Sequence, residues 1–159
     1  MKMAGSLLVL LGGFLYRERI LMQKRQVIAL GEEFCRNLEV LHRGIYRLQT
    51  PMQELFLQCR EEGRFSTFFW DALVEGVAGE EPFIPLWEHC CALLPPLYAD
   101  LWRPLGGALR MGEREELLLL TREEMSSIVR EKRRQLAEQN KLVTTLCLGC
   151  SLLLVILLI

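Results

Sequence analysis

Leu142 to Ile159 (LVTTLCLGCSLLLVILLI) is a run of eighteen residues without a charge. At about 1.5 Å per residue such a run is roughly 27 Å long as a helix, close to a hydrocarbon core of about 30 Å. A bilayer interior leaves unpaired backbone groups without partners, so a helix is the form expected. The sequence therefore predicts a C-terminal transmembrane helix over 142–159, and every other reading has to accommodate a membrane anchor.

A second apolar run, Met3 to Tyr16 (MAGSLLVLLGGFLY), follows Lys2 and is closed by Arg17-Glu18-Arg19. Its length fits a retained span, the core of a cleaved signal or a buried helix. A cleavage site wants small residues, and the run ends Phe14-Leu15-Tyr16-Arg17 instead. Tyr16 suits an interfacial anchor and Arg17 can reach the headgroups, so the expectation is an N-terminal transmembrane helix over 3–16. Gly5 and Gly12 fall on one helical stripe, and Thr145 and Gly149 on another. Small residues so placed let spans pack closely; they are equally what membrane helices commonly contain.

Charge orients the chain. Arg17, Arg19, Lys24 and Arg25 follow the first run, and Arg130, Lys132, Arg133, Arg134 and Lys141 precede the second. The positive-inside rule then places residues 17–141 in the cytoplasm between two spans. Segments 17–26 and 130–141 each carry +3 and Lys2 adds +1; with the whole chain at −1, residues 27–129 carry −8. An acidic body thus stands on a basic collar. The collar suits anionic lipid headgroups, at about 1 kcal/mol per basic residue near the surface. The acidic body argues against nucleic-acid binding, which wants a basic face.

Between the runs the pattern is helical, with no repeat and no low-complexity tract. Val27, Leu30, Phe34, Leu38, Leu41, Ile45 and Leu48 step by threes and fours, as one apolar face of a long helix. Thr50-Pro51-Met52-Gln53 offers an N-cap, a first-turn proline and a capping-box glutamine. The helix it opens buries Met52, Leu55, Phe56 and Cys59 and stops at Gly63. Ser66 is placed to cap a third helix carrying Phe68, Phe69, Trp70, Leu73 and Val77. A fourth carries Leu86, Trp87, Cys90 and Leu93, and a fifth Leu97, Tyr98, Leu101 and Trp102. Pro104 and Gly106-Gly107 read as an interruption. A last helix begins near Glu113, turns Leu117, Leu120, Met125 and Ile128 inward, and becomes a polar stalk over 130–141 with pairs Glu131–Arg134 and Arg134–Glu138. The expected fold is all-α, a bundle of about six helices between two terminal spans.

Chemistry is sparse. His89-Cys90-Cys91 diverge around a helix, and only His42 is available besides, so no metal site is expected. Cys147 and Cys150 have redox spacing but lie in an apolar run, where helix packing explains them better. A reducing cytoplasm makes disulfides unexpected. Glu115-Glu116 and Glu123-Glu124 stand among arginines, as a solvated face does. There is no phosphate loop and no nucleophile elbow. No catalytic, cofactor-binding or metal-binding residue is predicted, and the chain reads as a non-enzyme that works through surfaces.

Several strings, in order, are Thr50-Pro51-Met52, Leu86-Trp87-Glu88, Leu105 to Arg114 (LGGALRMGER) and Lys141-Leu142-Val143. Their order and layout resemble the stage III sporulation protein AB family of endospore-forming bacteria, over nearly the whole chain. Arg110 stands where that family has a glycine, Glu113 where it has an aspartate, and Leu117 where it has a glutamine. Glutamate keeps the charge at a helix start. The resemblance implies a non-enzymatic platform in the channel complex between mother cell and forespore. It implies a cytosolic helical domain like that of type II secretion and type IV pilus platform proteins. It also implies a stage III sporulation protein AA-like ATPase and other channel components as partners. A tail-anchored helical regulator of the apoptosis-regulator type is the competing expectation. Against it stand the N-terminal apolar run and the absence from this sequence of a central, wholly apolar hairpin. A membrane-bound enzyme assembled from scattered residues is a third.

Overall fold

The computed structural model describes the backbone of residues 2–111 and 115–158, and side chains for residues 15, 18–110, 115–143, 145 and 146. The described residues are helical and contain no strand. The elements are α1 (Lys2–Arg43), a π turn (Gly44–Leu48), α2 (Met52–Glu62), α3 (Thr67–Ala78), α4 (Phe83–Ala92), α5 (Pro96–Trp102), α6 (Leu105–Met111) and α7 (Glu115–Leu158). The chain divides into two compact units. Arg25–Val129 forms one, and the helical segments before Arg25 and after Val129 form the other. Among the described residues no helix is long and apolar enough to cross a membrane. Most of the side chains of the two predicted spans lie outside the described residues.

The body Arg25–Val129 is built around an aromatic cluster. Trp102 is fully buried, with the rings of Phe34 at 4.4 Å, Phe69 at 5.4 Å, and Trp70 and Trp87 each at 5.8 Å. Most of these contacts are edge-on or tilted, the arrangement the ring quadrupole favours; Trp87 lies nearly parallel to Trp102. Two of the three indoles and the phenol find partners despite burial, while the buried Trp70 Nε1 has none among the described residues. Trp87 Nε1 donates to the Trp102 carbonyl (2.9 Å), Trp102 Nε1 to Met125 Sδ (3.3 Å), and Tyr98 Oη to the Val27 carbonyl (2.9 Å). Tyr98 meets α1 beside Gly31. A Cβ there would stand 2.5 Å from Tyr98 Oη and 2.7 Å from Val129 Cγ2, so only glycine lets α1, α5 and α7 approach this closely.

One buried charge ties the first helix to the third. Glu33 on α1 is 4 % exposed. Its carboxylate accepts the backbone N–H groups of Arg64, Phe65 and Ser66 at 2.9–3.0 Å, and the Ser66 hydroxyl at 2.9 Å. Asn37 Nδ2 donates to Ser66 Oγ at 3.5 Å. Ser66 holds the N-cap position of α3, yet its hydroxyl serves Glu33 rather than its own helix. Burial raises the Glu33 pKa, but the bonds from Phe65, Ser66 and Arg64 outweigh it and hold the carboxyl below its ordinary value of 4.5.

Several expected details change. Leu30, Phe34, Leu38 and Leu41 are buried as the spacing predicts, but Leu48 is 66 % exposed. The π turn widens the helix at Gly44, and Gln49 leaves it in the left-handed region (φ 52°). The Gly44 carbonyl accepts from both Gln49 and Thr50, which closes the end and carries Leu48 off the apolar face. Pro51, not Thr50, holds the N-cap of α2, with no side-chain cap bond, so the capping box does not form. Leu93 and Phe68 are exposed, while Cys91 and Leu94 are buried. On α7 Leu118, Thr121, Met125 and Val129 are buried and Leu117 and Ile128 are half-buried against the core, as Leu117, Met125 and Ile128 are expected to be, but Leu120 is 61 % exposed. Four successive leucines, Leu117 to Leu120, carry no polar residue to mark the register.

The clearest correction is α6. The sequence reads Gly106-Gly107 as an interruption, and instead the pair lies in a helix that also holds Arg110. Gly106 sits against Trp87, where a Cβ would stand 2.4 Å from Cδ1; Gly107 has nothing within 4 Å. Gly107→Ala is expected to raise stability by about 0.5–1 kcal/mol through helix propensity. Gly106→Ala is expected to lower it by about 1–3 kcal/mol through overpacking. Urea unfolding of the pair, followed by tryptophan fluorescence, checks the difference in sign.

Glu33→Ala is expected to cost about 2–4 kcal/mol, because it removes charge-assisted bonds and strands three N–H donors. The folded pKa lies below the unfolded one. The carboxylate's stabilisation is therefore complete above about pH 4.5 and is lost as pH falls through the lower folded value. Acid titration of stability should show this loss in the native chain and not in Glu33→Gln.

Candidate functional site

Arg19 and Lys24 on α1 and Arg130, Lys132, Arg133, Arg134 and Lys141 on α7 are exposed and belong to one compact unit. Lys24 Nζ donates to Gln139 Oε1 at 2.7 Å, which sets the two basic segments side by side. Arg25 is exposed at the start of the body, and the Arg17 side chain lies outside the described residues. Arg134 forms both expected pairs, to Glu131 (3.1 Å) and Glu138 (3.7 Å). The Arg134 guanidinium bonds and the Gln135 amide hold Glu131 below the ordinary carboxylate range. These groups are fully exposed and screened by solvent, so the network organises side chains more than it stabilises the fold.

The predicted span-packing residues do not form a described contact. Thr145 is exposed and its hydroxyl donates to the Lys141 carbonyl of its own helix at 2.9 Å. The surroundings of Gly5, Gly12 and Gly149 lie outside the described residues. Glu113 lies outside them as well. Glu115 stands 2.7 Å from His42 Nε2, joining α7 to α1, while Glu116, Glu123 and Glu124 are exposed.

His89, Cys90 and Cys91 point apart: the histidine is exposed and both thiols are buried. Among the described residues no group of three or more histidine, cysteine or acidic side chains is placed to hold a metal. Burial pushes the thiols of Cys59 and Cys91 up to about 12 and that of Cys90 up to about 11. Cys35 is half-buried and also raised, again by burial.

A surface that the sequence reading missed lies between α2 and α3. Gln53, Phe56 and Leu57 face Val74, Val77 and Ala78 across an apolar groove of about 180 Å³. The signal was present as spacing: 53, 56, 57 and 74, 77, 78 each share one side of a helix. Glu54, Glu75, Glu80 and Glu81, each one to three positions from a lining residue, are all exposed. No protein-family model, curated protein or solved structure matches the chain.

A thiol reagent at pH 8 should leave Cys59, Cys90 and Cys91 unmodified in the folded chain and label them on unfolding, since the thiolate is the reacting form. Mass mapping of the labelled sites checks it. Rapid labelling of Cys90 or Cys91 under native conditions would contradict the burial described.

Proposed function

We propose that this chain is a non-enzymatic membrane platform subunit that holds an acidic helical body against the cytoplasmic face of a bilayer and docks other proteins there. The observation that carries the reading is the difference in charge balance: Arg25–Val129 holds seventeen acidic and ten basic residues, and the other unit three acidic and nine basic. Exposed basic residues from both ends of the chain are gathered in one unit, and the acidic residues lie mainly in the other. A basic collar of this kind is attracted to anionic headgroups, while the acidic body is repelled by them.

The runs 3–16 and 142–159 are the proposed spans, with residues 17–141 in the cytoplasm. Taken with the resemblance to the stage III sporulation protein AB family, the platform belongs to the mother cell–forespore channel complex. Its body then couples a stage III sporulation protein AA-like ATPase to components in and across the membrane, and it has no nucleic-acid partner.

Two measurements test this. Cys59 and Cys90 are buried, so topology is read with cysteines introduced at exposed positions, Glu61→Cys in the body, and with a tag at the N-terminus. A tag reached from outside and a body cysteine protected in intact cells support two spans; a labelled body cysteine overturns the reading. Reversal of Arg133 and Arg134 to glutamate should weaken binding to phosphatidylserine-containing vesicles by roughly tenfold or more, at about 1 kcal/mol for each charge removed. Unchanged vesicle binding and complex assembly would remove the role given to the collar.

A further inference from the structure

We infer that the groove between α2 and α3 is a docking site for a basic amphipathic helix of a partner protein. The inference rests on the platform reading only in taking the body as a protein-docking module, and it adds where the partner sits and what it is made of.

The groove has the form that helix recognition uses. An amphipathic helix lays residues at i, i+3 or i+4, and i+7 into an apolar channel between two helices. Here about 180 Å³ is lined by Gln53, Phe56 and Leu57 from α2 and by Val74, Val77 and Ala78 from α3. The floor is firm. Phe56 is buried, stacked on Phe83 at 6.2 Å and lying 6.0 Å from the Trp70 ring. The wall is open, because Leu57 is 42 % exposed and Ala78 is exposed. An apolar side chain that enters finds a preformed surface and displaces water from it.

Charge chooses the occupant. From Phe65 to Trp102 the chain holds no lysine or arginine, while Asp71, Glu75, Glu80, Glu81, Glu88 and Asp100 are all present. Pro51 to Cys59 on the other wall has none either, and adds Glu54. Arg60, one turn beyond Phe56 and Leu57 on α2, is paired with Asp71 at 2.5 Å. A helix with basic flanks is drawn to this field and an acidic one is rejected, as are nucleic acid and anionic lipid. The chain's own basic segment 130–141 is polar nearly all round and lacks the apolar stripe the groove needs. The occupant is therefore a separate basic amphipathic helix.

The test uses the full chain in phosphatidylcholine nanodiscs. The probe is a labelled synthetic helix with leucines at i, i+4 and i+7 and lysines on its other face, measured against empty discs. Saturable binding is expected that falls as salt rises. It should weaken about tenfold or more in Leu57→Ser, and likewise in the double variant Glu54→Lys/Glu75→Lys. All three positions are exposed, and a thermal melt confirms that each variant folds. A peptide with the same leucines and glutamates for lysines should not bind.

Three results would overturn the inference. One is binding no greater than to empty discs. Another is equal binding of the acidic peptide. The third is binding lost in the charge variant but kept in Leu57→Ser, which means surface attraction without the groove. Vesicle binding and topology are read in separate experiments, so a failed groove leaves the platform reading to stand or fall by itself.

Discussion

The carboxylate of Glu33 is the interaction on which the arrangement of the body depends. It is a charge inside the protein, and a buried charge persists only when its hydrogen bonds are met. Three consecutive backbone N–H groups and one hydroxyl meet them. Those donors belong to the connection between α2 and α3, so a single side chain on α1 sets where that connection runs. Once it is placed, α3 starts at Thr67 with Phe69 and Trp70 directed into the core, and α2 is held antiparallel beside it. The aromatic cluster and the α2–α3 groove both follow from this positioning.

A firm core and differentiated surfaces are two results of the same arrangement. Trp102 touches rings from α1, α3 and α4, so the helices are locked by shape as well as by area. Close packing of this kind leaves little freedom for helices to slide. The surfaces can then carry fixed patterns of charge. One unit displays cations along α1 and α7, and the other displays carboxylates around an apolar furrow.

Much of this was legible in the residues, and the exceptions share a cause. The helices, the buried face of α1 from Leu30 to Leu41, and the stalk pairs of Arg134 follow from spacing and local charge. Leu48 was misplaced because a π turn changes the period, and nothing in Gly44–Leu48 announces that except the glycine. Leu120 was misplaced because four leucines in a row state no preferred side. Gly106-Gly107 was misread because propensity is a local property, while the need for glycine there comes from Trp87, a residue of another helix. Glu33 could not be singled out, since its partners are three backbone groups and one hydroxyl some thirty positions away and leave no pattern in the sequence. The groove is the same kind of omission: each wall was visible, but their pairing is tertiary.

The stretch without lysine or arginine has an analytical consequence. Trypsin cuts after those residues and passes over an arginine that precedes proline, as Arg103 does before Pro104. Even a fully unfolded chain therefore releases Phe65 to Arg110 as one peptide. That peptide holds all three tryptophans, Cys90, Cys91 and the two glycines of α6. A single fragment in a digest thus reports on most of the aromatic core, and any label or crosslink placed between Phe65 and Arg110 travels with it.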